Sequence, residues 1–397
     1  METAKPSLDL LRSLTDEHVV RELLRHRRLT RAELAVATGI SKPTIGESVR
    51  RLAESGLVRD TGERTPGGRG RGRVGSYYAL AAHVGTALAV SIAPEGVTAE
   101  SVDAYGDVLA RARQEIDRPP RPHQIAAALR AAAGRAHPGS GPAPRLAVVS
   151  AADPVDRRTG RLVHLPQSPF LLGDLDPAEI LAAHVDGPVT VDNDVNWAAR
   201  AERDHAPADT PDHFAYVFLG EGLGCAIVSD GRVRRGATGL AGEIAHILTV
   251  GPHGQAVALI EVFGQLGLRR PGSTAIDVDR LIGAATGPGP QPAAVRAALG
   301  GAISAVIAAL VALTDPQTVV LGGPWGAHPV ILDAVRAAAA LLPRTVPIRA
   351  AGLTGEPSLC GARTDAVTRL RAAILASARP GLPKGALPVP VLTETPG

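Results

Sequence analysis

The sequence predicts an α/β protein with a small basic head and a larger body of two similar lobes. Three observations carry that prediction. Charge is unevenly placed: residues 1–80 hold two Lys and thirteen Arg against ten Asp and Glu, whereas the remaining 317 residues hold 27 basic and 29 acidic groups. The texture changes after residue 80, from capped helical segments to strands alternating with Ala-rich helices. The body then repeats itself, a Gly-turned meander followed by helix and strand units occurring twice, as in two α/β lobes facing a cleft. A length of 397 residues also favours two or three domains over one core. The divisions are a head at 1–80, a body at 81–380 and a tail at 381–397 expected to be disordered.

In the head, DEHVVRELLRHRR places Val19, Val20, Leu23 and Leu24 on one helical face, with acids first and arginines last, as the helix dipole prefers. Thr30 is an N-cap for RAELAVATG, Glu33 completes a capping box and Gly39 ends the helix. After the turn GIS, Ser41 caps KPTIGESVRRLAESG, with Pro43 tolerated in its first turn. Helix, Gly-containing turn, helix is the helix-turn-helix pattern, whose second helix offers its N-terminal side chains to the major groove of double-stranded DNA. A helical hairpin used only for packing is the alternative. Two short strands, LVRD and VGSYYAL, flank a Gly/Arg-rich loop and make a wing. On this phase Lys42, Thr44, Gly46 and Glu47 face bases, Arg50 and Arg51 meet phosphate, and Ile45, Val49 and Leu52 face the core. Arg69, Arg71 and Arg73 alternate with glycines, which suits a narrow minor groove or, alternatively, a solvated basic linker.

The body opens with a three-strand meander, HVGTALAVSIAPEGVTAESVDAYGDVLARAR, then a helix near 122–136, a strand at RLAVVSAA, a helix at DPAEILAAHV and the strand PVTVDND. The second half begins with HFAYVFLGEGLGCAIVSDGRV and ends with helices near 292–313 and the strand TVVLGG. Asp192, Asn193, Asp194 and Asn196 cluster at a strand end, a set of acceptors and amides suited to sugar hydroxyls. The alternative is that they cap the strand and the helix that follows. The two cysteines, Cys225 and Cys360, are too few for a disulfide framework or a thiolate metal site, and Cys225 reads as a small buried apolar residue. The start, METAKPSLDLLRSLTDEH, lacks the apolar core of a secretory signal, and the run AISAVIAALVAL at 302–313 falls short of a bilayer span. A cytoplasmic protein with no membrane partner is the expectation.

The ordered combination of a winged helix, VDNDVN, FLGEGLGCAIVSDGRVRRGATGLAGEIAHI and DPQTVVLGG resembles the ROK family (repressors, open reading frames and sugar kinases), in its transcription-factor branch. The resemblance implies an actin-like, ribonuclease-H-like two-lobed sugar-kinase-type domain behind the winged helix-turn-helix, assembled as a homodimer or homotetramer. Matched onto this chain, the family's sugar-contacting residues fall on Asn193, Asp194, Glu243, His246 and Glu261. In the family's kinases the Asp matching Asp194 is the general base, and two Gly-rich turns hold ATP phosphates.

This chain departs from the kinase pattern. The first turn, AVSIAPEG, has Ser91 for an Asp and Ala-Pro-Glu for Gly-Gly-Thr, so Pro94 offers no N–H and Glu95 puts a carboxylate beside phosphate. The second reads Gly220-Glu221-Gly222-Leu223-Gly224, with an acid in place of a hydroxyl. Other departures are Ser150-Ala151-Ala152 for a Pro-Gly and Ala245 for a Gly. The family's zinc loop of three cysteines and a His is replaced by HILTVGPHGQAVALIEVFGQLG, to be held by Val257, Leu259, Ile260 and Phe263. The resulting expectation is a DNA-binding regulator, usually a repressor, that senses a sugar or sugar derivative and uses neither ATP nor zinc. A regulator whose pocket serves only to oligomerise, and an ATP-dependent sugar kinase, are the other readings.

Overall fold

The computed structural model describes residues 8–65, 75–118, 120–137, 139, 141–165, 169–170, 174–205 and 211–379. The proposed tail at 381–397 and the wing arginines Arg69, Arg71 and Arg73 lie outside them.

The head comprises α1 (Leu8–His26), β1 (Arg28–Thr30), α2 (Arg31–Thr38), α3 (Lys42–Glu54), β2 (Val58–Arg64) and β3 (Ser76–Leu80). Its helix ends follow the expected chemistry. Thr30 Oγ1 accepts from Glu33 N at 3.2 Å, Glu33 Oε2 accepts from Thr30 N at 2.8 Å, and Gly39 closes α2 in the left-handed region at φ 70°. Ser41 Oγ accepts from Thr44 N at 3.4 Å to start α3. Val19, Val20, Leu23, Leu24, Ile45, Val49 and Leu52 are buried as their spacing requires. Strands β2 and β3 pair on either side of the wing loop, and β1 completes a three-stranded sheet in the order β1-β3-β2.

The first lobe contains β4 (Ala87–Ala93), β5 (Gly96–Val102), β6 (Val108–Gln114), α4 (Pro122–Arg135), β7 (Ala147–Ala151), α5 (Pro177–Leu181) and β8 (Val189–Asn193). Helix α6 (Asp194–His205) follows directly. The second lobe contains β9 (Phe214–Leu219), β10 (Leu223–Ser229), β11 (Arg232–Arg234), β12 (Leu248–Val250), β13 (Ala256–Ala258), α7 (Leu259–Gln265), α8 (Val278–Ala285), α9 (Pro290–Thr314), β14 (Thr318–Gly322), α10 (Pro329–Ala339) and β15 (Ile348–Ala350), with α11 (Pro357–Ser377) after it. The two five-stranded sheets run β6-β5-β4-β7-β8 and β11-β10-β9-β14-β15. Each is an antiparallel meander whose first strand continues into two parallel strands. The repeat in the sequence is therefore a repeat in topology.

Helix α9 corrects the expectation for the apolar run. It spans 25 residues, long and apolar enough by length and composition to cross a bilayer, and half of its apolar window is buried. The Ala- and Gly-rich flank lengthens the run, and the helix serves as a core element, with Leu299, Ile303, Val306 and Ile307 in the second lobe's main cluster. The segment that replaces the cysteine loop is a hairpin, β12 to β13, followed by α7. Leu259, Ile260 and Phe263 are buried, Val257 packs against them, and Thr249 Oγ1 donates to Ala302 O at 2.7 Å.

Candidate functional site

A cavity of about 840 Å³ lies between the lobes and is lined by both meander turns, the start of α6 and the segment 239–246. The last residue of β8, Asn193, and the first of α6, Asp194, line it. Asn193 Oδ1 accepts from Val195 N at 2.9 Å and its Nδ2 donates to Asp153 O at 3.2 Å, so this side chain caps α6 and ties it to the end of the first sheet. Asp192 is held away from any ligand: Arg235 donates to its Oδ2 from Nε at 2.7 Å and Nη2 at 2.5 Å, and Asn196 Nδ2 donates to its Oδ1 at 2.9 Å. Of this strand-end cluster Asn193, Asp194 and Asn196 line the cavity, and Asp194 is the carboxylate among them.

Two effects compete at Asp194. Its place in the first turn of α6 and the Val195 N–H on its Oδ1 at 2.8 Å favour the carboxylate. Burial, reinforced by the neighbouring Asp153 and Glu243 carboxylates, outweighs them and pushes the group up to about 7. Glu243, facing the same space, is likewise pushed up to about 7 by burial and by Asp153. Glu243 is set by a tight backbone approach: Gly242, at φ 100°, lies so close to β10 that a Cβ there would fall 1.7 Å from Cys225 O. Cys225 itself is buried, its thiol pushed up to about 12 by desolvation.

His246 also lines the cavity, with an exposed side chain. Glu261 is not among the lining residues; it points to Arg269, Oε1 to Nη2 at 3.0 Å. The structure thus brings Asn193, Asp194, Glu243 and His246 to one space and leaves Glu261 beside it. The turns that carry phosphate chemistry in the kinase pattern line the same cavity, with Pro94, Glu95, Gly220 and Glu221 all on its surface. Glu221 accepts from Arg118 Nη1 at 2.7 and 2.8 Å and from Arg270 Nη2 at 2.9 Å. Neither arginine was expected from the sequence, because both lie in loops far from any motif.

The zinc expected in family members finds no fitting donors here. The β12–β13 hairpin carries His253 and no cysteine, and among the described residues no three His, Cys, Asp or Glu side chains are gathered to hold a metal.

On the head, Lys42, Thr44, Glu47 and Arg50 are exposed along α3, and Gly46 is half-buried between them. Arg50 lies between Glu47 and Glu54, donating to each at 2.7 Å. Arg51 corrects the phosphate assignment: its guanidinium turns inward to Asp16 on α1, at 2.6 and 3.1 Å, where Ser48 Oγ also donates at 2.5 Å. Exposed Arg31, at the first position of α2 and with its ring partner Tyr78 5.0 Å away, adds positive charge that is felt at Glu47.

Comparison with known proteins agrees with this arrangement. The ROK family model matches residues 97–346, and a model of winged helix-turn-helix DNA-binding domains matches residues 12–59. The chain is 30% identical over 160 residues to the bifunctional enzyme NanE/NanK of Brucella suis biovar 1, covering 40% of this chain and 30% of that enzyme. It is 22% identical over 241 residues to a putative xylose repressor of Caldicellulosiruptor sp., covering 60% of this chain and 59% of that protein. It therefore matches less than two thirds of the length of either relative. A ROK family transcriptional regulator, a homologue of the E. coli MLC protein, shares the fold with a TM-score of 0.61 at 19% identity, over 94% of this chain and 100% of that one. The chain belongs to the ROK family and carries at its head a domain that matches the winged helix-turn-helix DNA-binding model.

Proposed function

We propose that the protein is a sugar-responsive transcriptional regulator, repressing when ligand-free, whose kinase-type cleft binds a sugar or sugar derivative without turning over ATP. One observation supports this reading: Asp194 and Glu243 line the cleft together with Pro94, Glu95 and a Glu221 already bound by two arginines, these last three residues standing in the turns where the kinase pattern holds phosphate. Asp194 and Glu243 accept hydrogen bonds from sugar hydroxyls, Asn193 positions Asp194, and His246 borders the ligand, with Glu261 set back at Arg269. Buried acceptors of this kind discriminate against analogues lacking the matching hydroxyl. The similarity to a putative xylose repressor supports the sugar class.

On DNA, Lys42, Thr44, Gly46 and Glu47 address bases, Arg50 is released from Glu47 and Glu54 to phosphate, and Arg69, Arg71 and Arg73 enter the minor groove. A homodimer or homotetramer reads a two-fold operator in the cytoplasm, and ligand closure of the lobes changes the spacing of its heads.

Thermal-shift titration with hexoses, pentoses, amino sugars and sugar phosphates, each with and without ATP, tests the reading. A sugar that stabilises the protein, with no further effect of ATP, supports it; silence across the panel favours a body used only for oligomerisation. A kinase reading is favoured by Asp194 alone, since a carboxyl group near 7 suits a general base. Coupled detection of ADP release with the same panel decides that point.

A further inference from the structure

Glu221 sits on the β9–β10 turn of the second lobe, and Arg118 sits between β6 and α4 of the first. Their ion pair is bidentate from one guanidinium nitrogen, at 2.7 and 2.8 Å, and Arg118 Nη2 also lies 4.0 Å from Glu95 Oε1 on the β4–β5 turn. Arg118 therefore stands among two acidic turns that would repel each other across the cleft without it. The Glu221 side chain is only 17% exposed, so its charge is poorly served by water and leans on its guanidinium partners. Arg270, the second partner, belongs to the same lobe as Glu221, and Ile276 N donates to Glu221 O at 2.9 Å, so the turn is braced from its own side. Trp325 Nε1 adds a third brace by donating to Gly220 O at 2.8 Å.

We propose that Arg118 and Glu221 form an interlobe clasp, with Glu95 as its second anchor, that holds the two turns together across the cleft, and that the cleft opens by breaking it. The second lobe presents a pre-organised acceptor, Glu221 fixed by Arg270 and by the backbone, and the first lobe supplies the Arg118 guanidinium. The clasp occupies the space between the turns with a carboxylate and a guanidinium, which also bars a polyphosphate from that space. This inference concerns lobe opening and stands independently of the sugar and DNA assignments.

The test uses the full chain without ligand, read by hydrogen exchange of the amides at 93–98 and 220–224 and by the radius of gyration in solution. Arg118→Gln is expected to raise exchange at both turns about fivefold and to expand the molecule, since a partly exposed ion pair is worth no more than that. Arg270→Gln removes an equally close partner of Glu221 within one lobe and is expected to leave the first-lobe turn and the radius unchanged. Raising NaCl from about 0.05 M to about 1 M should loosen the wild type, whereas Arg118→Gln, left with two acidic turns that salt screens, should not loosen further. The clasp is overturned if Arg118→Gln matches the wild type, if Arg270→Gln opens both turns equally, or if salt has no effect on the wild type. The salt series on unaltered protein decides the matter even if a variant folds poorly.

Discussion

Asp194 and Glu243 carry a cost that the fold accepts for the sake of the cleft. Each titrates near 7 in the native state and near its ordinary carboxyl value when unfolded, so the native state binds more protons between those limits. Their contribution to stability is fully present below about pH 4 and is lost as pH rises through about 7. Asp194→Asn is therefore expected to raise the melting temperature by about 2–4 °C at pH 8 and to do nearly nothing at pH 4, where the wild-type group is already neutral. A variant less stable than wild type at pH 8 would contradict this assignment. The inward-facing Arg51 gives a second expectation: Arg51→Ala leaves Asp16, 4% exposed, without its guanidinium and should destabilise the head by about 3 kcal/mol in denaturant melts. It should leave the salt slope of DNA binding unchanged, whereas a lower slope would restore Arg51 to the phosphate contacts. Asn193, Asp194 and Glu243 were legible in the sequence because a motif and a strand end mark them. That Asp192 is neutralised by Arg235 was not, since the two lie 43 positions apart and meet only when the lobes pack.

At the scale of elements, α6 touches the sheets of both lobes, and α11 packs on α6 and on the first sheet. Helix α6 starts at the cleft with Asp194, and Trp197 on its first turns is fully buried, donating from Nε1 to Val149 O at 3.1 Å. Gly361 of α11 meets this helix so closely that a Cβ would lie 2.1 Å from Trp197 O. Arg200, 4.7 Å above the Trp197 ring, also donates to Asp365 of α11 at 3.2 Å. Gly361→Ala should therefore cost about 1–3 kcal/mol in denaturant unfolding, because backbone rather than a movable side chain blocks the methyl group. A neutral effect would show that the helices can separate freely. Most elements were legible from periodicity and caps: the head helices, both meanders, α9 and the strand into α6. The helix expected over DPAEILAAHV is shorter, only Pro177–Leu181, the chain closing into a turn at Ala182–His184 in which His184 N donates to Leu181 O at 2.8 Å while Val185 still packs in the core. The β12–β13 hairpin and the position of α11 against the first lobe depend on long-range packing and left no local trace.

Across the whole molecule, head and body share one apolar cluster, running from Val19 and Leu52 through Ala87 and Val148 to Leu370 and Ile374 of α11. Polar contacts fix the junction: Arg27, left-handed at φ 65°, donates to Asp107 at 2.5 and 2.8 Å, Tyr105 OH donates to Arg27 O at 3.2 Å, and Arg379 donates to Glu17 at 2.9 Å. Helix α11 thus touches α6, whose first residue is Asp194, and reaches the head at its other end. Coupling between cleft and DNA requires the ligand to favour one arrangement of this junction. Asp107→Asn should leave ligand-free DNA affinity within about twofold, since exposed pairs contribute little, while shrinking the ligand effect. An undiminished ligand effect would place the coupling elsewhere. The most direct measurement selects DNA from a random duplex pool with the purified protein and then titrates the recovered duplex in the presence of each sugar, for wild type and Asp194→Ala. The regulator reading expects a two-fold symmetric motif whose affinity falls at least about fivefold with one sugar in the wild type and not in the variant. A motif that no sugar affects, or a response that survives in Asp194→Ala, would contradict it.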